Sequence, residues 1–348
     1  MPSHLTNTPR RVRRSASLLI LLLVVALFTV AGILYIIQML GPVTGNKNAP
    51  LVLVNIPPGK SARQIGRILA RKHLIRSSLS FVFASRMDHL SGEMHAGHYE
   101  LSPAMPPRQI AALMALGETA DGVVTIPEGY TVHQIARRLA QQQLVNEAAL
   151  LTLAQTQGKT FHVGRWTPPN ASLEGYLFPD TYTVPKGATA RDIAQMMLEN
   201  FSRRVLVPHE SDFRLYPGGL PAAVTLASLV EREAEVETDR PLIAAVYRNR
   251  LNAHMRLQCD ATVQYALPEH KTRLFYTDLR VDSPYNTYRH EGLPPTPIAN
   301  PGLPSIEAAL HPANVDYLYY VAGPGGRHVF STTLTQHEQA VARVRASQ

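Results

Sequence analysis

The sequence is poor in the residues that staple or metallate a domain. It has one cysteine, Cys259, and one tryptophan among 348 residues. A single thiol excludes an internal disulfide framework, so ordinary hydrophobic cores must hold the chain, which is long enough for two. Fourteen histidines are present, but none falls in His-Glu-x-x-His, and no Cys-x-x-Cys occurs. No metal site is expected from spacing of that kind. Gly-x-Ser-x-Gly is also missing, which removes the usual serine-hydrolase elbow. Gly59-Lys60-Ser61 looks like the end of a phosphate-binding loop, but Val54 stands where that loop needs glycine.

Charge is missing from one long stretch. Leu18 to Ile37 is a 20-residue apolar run with no ionised side chain, and at about 1.5 Å per residue it spans a bilayer core. Arg10, Arg11, Arg13 and Arg14 precede it, and the next charge after it is Lys47. This asymmetry predicts a single-pass anchor over 18–40, with a cytoplasmic tail at 1–17 and the remainder across the membrane. The segment after the run, Gln38-Met-Leu-Gly-Pro, offers no small-x-small cleavage site of a signal peptide. Four of the eight excess positive charges sit in that tail, which contains no acid. The mild excess left outside calls for no nucleic-acid partner and suits an anionic envelope polymer.

Residues 41–50 read as a linker, and a repeat follows. Val54–Ala70 aligns with Val124–Ala140 at an offset of 70, identical at nine of 17 positions, and Thr183–Met197 is a weaker third copy. Each copy predicts a strand, a Pro-x-Gly turn, and a helix capped by Ser or Thr. The unit resembles part of a LysM module, a βααβ fold that binds glycans rich in N-acetylglucosamine. The expected organisation is α+β: the transmembrane helix, a LysM-like βααβ subdomain over 51–120, and a mixed α/β catalytic domain over 121–348.

Helices are expected from Pro221 to about Glu237 and from Arg240 to about Asn252. A long irregular segment, Gln258 to Pro304, should carry function. Strands are expected at Tyr317–Ala322 and His328–Thr332, then a helix opened by the capping box Thr335-Gln-His-Glu338. On the first of these helices Ala223, Ala227, Glu231 and Ala234 share a face. A carboxyl at the end of a small-residue stripe can be desolvated and kept protonated, as a general acid requires. Leu226, Val230 and Glu233 share another face, so the pattern does not separate Glu231 from Glu233. The later acids of the run, with Glu233 among them, read as a solvated helix end.

Leu226-Ala-Ser-Leu-Val-Glu-Arg-Glu233, Val246-Tyr-Arg-Asn-Arg-Leu251, Met255-Arg-Leu-Gln-Cys-Asp260, Ser283-Pro-Tyr-Asn-Thr-Tyr288 and Gly292-Leu-Pro-Pro-Thr-Pro-Ile-Ala-Asn-Pro-Gly302 together resemble the endolytic murein transglycosylases, the MltG or YceG-like family. Glu174-Gly-Tyr-Leu-Phe-Pro-Asp-Thr-Tyr182 and Phe330-Ser-Thr-Thr333 resemble it too. Cys259 and Ala261 depart from the family's usual Ser or Thr and Pro, and Thr296 from its usual glycine.

The resemblance implies an enzyme of the inner membrane, with its catalytic domain outside the cytoplasm, that cuts within peptidoglycan glycan strands and needs no cofactor. It carries the catalytic role onto Glu231. The substrate contacts expected are Glu174, Gln258, Asp260, Tyr285, Asn286 and Tyr288. Peptidoglycan synthases are candidate partners. Two other readings remain: a hydrolase with Asp260 or Glu174 as second carboxylate, and a glycan-binding scaffold without catalysis.

Overall fold

The computed structural model describes residues 10–269 and 271–346, with side chains described from residue 21 onward except Ser91. It is a mixed α+β chain of two compact units, the first ending at Asp121 and the second starting at Gly122.

The first unit opens with α1 (Arg10–Leu40), whose segment Leu21–Leu40 is long and apolar enough to cross a membrane and is exposed along nearly its whole length. The rest of the unit is β1 (Val52–Ile56), α2 (Ala62–Arg71), α3 (Ser78–Met87), β2 (Gly97–Leu101) and α4 (Pro107–Leu116). β1 and β2 pair antiparallel, with Val54 opposite Tyr99. Val54, Ile65, Leu69, Phe81, Tyr99 and Ile110 form its core.

The segment expected as a linker is held against this unit. The amides of Val43 and Thr44 both donate to the carbonyl of Pro103, at 2.9 and 3.2 Å. The Arg76 guanidinium donates to the carbonyls of Pro42 and Val43.

The second unit repeats the design. β3 (Gly122–Thr125), α5 (Val132–Gln141), α6 (Glu147–Thr156), β4 (Thr181–Val184) and α7 (Ala190–Phe201) follow in the same order. β3 pairs antiparallel with β4, with Val124 opposite Tyr182. The sequence repeat is therefore a backbone repeat. Gly59, Gly129 and Gly187 close the three Pro-x-Gly turns at φ 73°, 73° and 81°, a left-handed conformation that glycine adopts without steric cost. Ser61, Thr131 and Thr189 each cap the helix that follows through a reciprocal capping box.

The remainder of the unit contains α8 (Glu210–Leu215), α9 (Gly219–Glu233), α10 (Arg240–Asn252), α11 (Asp260–Ala266), α12 (Leu303–Leu310), β5 (Tyr319–Ala322), β6 (His328–Ser331) and α13 (Leu334–Ala346). β5 and β6 form an antiparallel hairpin. α9 packs against α12 and α10, and Ala223, Ala227 and Val230 are buried.

Three expectations change. The α9 helix ends at Glu233, because Ala234 is extended, so Glu235 and Glu237 lie beyond it. The irregular segment contains the helix α11. The capping box of the last helix uses Thr333 and Gln336, two residues ahead of the expected pair.

Candidate active site

Two carboxyls end α9, and they point to different neighbourhoods. Glu231 accepts the amide of Gly302 at 3.0 Å and lies 3.6 Å from the Arg240 guanidinium. Its side chain is only 6% exposed. The backbone of Gly302 is also packed against the carboxyl of Glu128, at the second Pro-x-Gly turn. Glu128 is pushed above the ordinary carboxylate range, first by burial of its carboxyl and then by the charge of Glu231. Glu231 therefore ties the end of α9 to the start of α12, with a second carboxyl close by.

Glu233 is half-buried as a residue, and its carboxyl lies in the enclosed part. This differs from the solvated helix end expected. The Cys259 thiol donates to one oxygen at 3.2 Å, and the Tyr320 hydroxyl donates to the other at 3.1 Å. The Tyr247 hydroxyl sits 2.7 Å from that of Tyr320. Burial is the largest influence and raises the Glu233 pKa, the two donors pull it down, and the charge of Asp260 pushes it up again. Burial thus shifts this carboxyl toward the protonated form that a general acid needs.

Several expected contacts gather around Glu233. Asp260 starts α11, is exposed, and accepts the Tyr288 hydroxyl. Gln258 precedes Cys259 in a left-handed conformation, φ 52°. Its side-chain oxygen accepts from Arg250, which also binds the carbonyls of Leu257 and Leu318. Arg250 is buried, so it fixes the approach of the 256–260 segment to the α9 end.

The others lie elsewhere. Asn286 is fully buried, and its amide donates to the carbonyls of Leu279 and Val281 while its oxygen accepts the Tyr288 amide. That uses both donors, so Asn286 closes its loop and orients Tyr288 without facing a ligand. Tyr285 bonds Thr296 at 2.7 Å and packs on the ring of Tyr265.

Glu174 is 3% exposed. It accepts from the Val132 amide at 3.0 Å, the Asn300 side chain at 3.0 Å and the Tyr265 hydroxyl at 3.3 Å. Burial outweighs these bonds and raises its pKa to about 8. Asn300 is the centre of this knot, donating to the Tyr130 carbonyl and accepting the amides of Gly175 and Leu177. Glu174 also lines a cavity of about 500 Å³ with Arg232, Tyr265, His133 and Gln264. Glu231 and Glu233 do not line that cavity, which places it beside the α9 carboxyls and not over them.

Sequence reasoning passed over Glu128, Arg240, Asn300 and Tyr320. Glu128 had a signal: it is the one acid at the x position of the three Pro-x-Gly turns, where the other copies have Pro58 and Lys186. Asn300 lay inside a quoted motif, but its four bonds reach segments over 100 residues away, which no local pattern reports. His209, Asp212 and His311 also bring ligand atoms within 4.8 Å of one another. Asp212 bridging the two imidazoles, at 3.3 and 3.5 Å, accounts for that cluster without an ion.

Comparison with known proteins places this geometry among relatives. The model of the YceG-like family matches residues 54–343. The chain is similar to the endolytic murein transglycosylase of Bacillus subtilis (strain 168), 36% identical over 304 residues, covering 83% of each. It is also similar to the protein of that name from Streptococcus pneumoniae (strain D39), 31% identical over 340 residues, covering 89% of this chain and 61% of that longer relative. The crystal structure of a YceG-like protein from Listeria monocytogenes is similar at 38% identity with a TM-score of 0.57, covering 83% of this chain and 98% of that one.

Proposed function

The chain belongs to the YceG-like family, and from that premise we propose that it is an endolytic lytic transglycosylase, cleaving the bond between N-acetylmuramic acid and N-acetylglucosamine inside peptidoglycan strands. The observation that carries the mechanism is the enclosed carboxyl of Glu233, its pKa raised by burial, with Asp260 and Tyr288 beside it. Glu233 would protonate the glycosidic oxygen. The muramic acid's own 6-hydroxyl would attack the anomeric carbon and return its proton to Glu233. The product is a 1,6-anhydro end, and no water is consumed. An intramolecular nucleophile is already oriented, so the second carboxylate of ordinary glycosidases is unnecessary. Gln258, Asp260 and Tyr288 then line the sugar path, with Asn286 supporting it from behind.

A second reading keeps the acid at Glu231, as the motif resemblance has it. The observation favouring it is the neighbouring carboxyl of Glu128, whose pKa is raised by burial and by the charge of Glu231, since paired carboxyls are common at acid–base sites. In the first reading Glu231 instead positions the 300–302 loop. Purified Glu233→Gln and Glu231→Gln proteins separate the two on isolated glycan strands. Loss of cleavage in Glu233→Gln with residual cleavage in Glu231→Gln supports the first reading, and the reverse pattern supports the second.

Mass spectrometry of the products tests the reaction class. Ends one water lighter than a hydrolysed muropeptide mean anhydro chemistry. Reducing ends mean a hydrolase, for which exposed Asp260 is the carboxyl to suspect; buried Glu174, protonated up to about pH 8, is poorly suited to act as a nucleophile.

In the same reading α1 anchors the enzyme in the inner membrane with its N-terminus cytoplasmic. Cleavage beside membrane-bound synthases would limit the length of nascent strands. The βααβ part of the first unit would hold glycan. Protease accessibility from each side of the membrane tests the orientation, and NMR titration of residues 41–121 with N-acetylglucosamine oligomers tests the glycan contact.

A further inference from the structure

α3 has two faces, one buried and one exposed among the described residues. Phe81 and Ala84 are buried in the core. Leu79, Phe83 and Met87, at i, i+4 and i+8, are 62%, 50% and 60% exposed. That spacing places them in one stripe along the helix. Exposed apolar side chains aligned in this way mark an interaction surface.

The position of the stripe identifies what it meets. α3 is in contact with α1. Of α1 from Leu21 on, Met39 and Leu40 are half-buried while the residues before them are exposed, so the contact is at the end where the candidate span stops. The chain between them is not a free tether. Residues 42–44 are bonded to Pro103 and to Arg76, two residues before α3 starts. A bilayer that holds Leu21–Leu40 therefore has its surface at the level of α3.

The charges agree with that placement. α3 contains no acid, and Arg86 is exposed on it. Asp88, at its C-cap, is engaged by both donors of the Arg108 guanidinium at 2.6 and 2.8 Å. We propose that α3 is a second membrane contact, lying in the outer face of the bilayer with Leu79, Phe83 and Met87 inserted at the headgroup–acyl boundary. Such helices sink their apolar face about 5–10 Å below the surface. The inference rests on the reading of α1 as an anchor. It adds that the first unit has a fixed height and tilt on the membrane.

Full-length protein carrying Phe83→Trp tests this in vesicles of phosphatidylcholine and phosphatidylglycerol, with and without lipids brominated near the headgroup or, separately, near the chain ends. Phe28→Trp, within α1, reports the anchor separately, and wild-type emission from Trp166 is subtracted. The expected result is that both added tryptophans are quenched, with the one at position 83 losing about half its emission to shallow bromines. Quenching at position 28 alone leaves the anchor standing and overturns the inference. A blue-shifted but unquenched tryptophan at position 83 means a protein surface, such as a second copy, covers the stripe, and also overturns it. No quenching at either position refutes the anchor and the inference with it.

Discussion

The hydroxyl of Tyr320, on the β5 strand, donates to the carboxyl of Glu233 at the end of α9 across 3.1 Å, opposite the Cys259 thiol at 3.2 Å. Two weakly acidic donors from different elements thus hold one carboxyl. Both bonds favour its ionised form and so oppose the burial that raises its pKa. The net shift is upward because burial is the largest influence, and either donor can be altered.

Tyr320→Phe removes one bond that lowers the Glu233 pKa, so the pKa rises further. The acid then keeps its proton to higher pH, and the alkaline limb of the activity profile moves up. Cys259→Ser places a stronger donor at the same point. It lowers the pKa and moves the same limb down. Opposite shifts on one limb, read from kcat/KM against pH, assign the acid to Glu233. If the limb stays where it is in both variants, Glu231 becomes the better assignment.

Arg250→Lys should be far from conservative. The guanidinium bonds the carbonyls of Leu257 and Leu318 at 2.9 and 2.6 Å and the side chain of Gln258 at 3.3 Å, from a buried position. A lysine cannot reproduce that planar fork. The expected cost is about 2 kcal/mol in urea denaturation. Activity should fall about tenfold even where the protein is folded, because the 258–260 segment would no longer be held against Glu233. Unchanged kcat in a destabilised variant would reduce Arg250 to a core residue.

Two left-handed glycines separate steric need from backbone need. Gly175 has φ 91°, and a Cβ there would meet the Pro297 ring at 2.5 Å and Val224 at 3.0 Å. Gly129 has φ 73°, but its nearest neighbour would be Glu231 Cγ at 3.5 Å. Gly175→Ala should cost about 2–4 kcal/mol, from conformation and overlap together. Gly129→Ala should cost about 1 kcal/mol, from conformation alone. Equal costs in denaturant titrations would mean that the 297 loop yields freely.

How much of this was legible in the sequence follows from the range of each interaction. The turn and cap of every repeat are set within a few residues, so Pro-x-Gly and the Ser or Thr after it were readable. The apolar run of α1 was readable for the same reason. The partners of Glu233 come from positions 259 and 320, and Asn300 joins segments near 130 and 175. Those meetings depend on tertiary packing, and helical spacing alone could not separate Glu233 from Glu231. The linker shows the same limit: Gly, Pro and Asn in residues 41–50 describe a turn-rich composition, whereas the bonds of residues 42–44 to Pro103 and Arg76, far along the chain, could not be read from it.

Glu174 offers a test of the knot through stability. Its folded pKa of about 8 lies above the value of 4.5 expected for the exposed group. Between those values the folded protein binds a proton that the unfolded chain releases. Stability is therefore at its full value below pH 4.5, falls as pH rises toward 8, and is flat above, with a slope approaching 1.4 kcal/mol per unit, roughly, for this group. Glu174→Gln mimics the protonated side chain. Its oxygen can accept from Val132 and Asn300, and its amide can donate to the Tyr265 hydroxyl. The variant should match wild type near pH 5 and exceed it near pH 8.5, with the difference in denaturation midpoint growing in between. A constant deficit at every pH would mean that the folded protein holds Glu174 ionised, with Asn300, Val132 and Tyr265 together outweighing its burial.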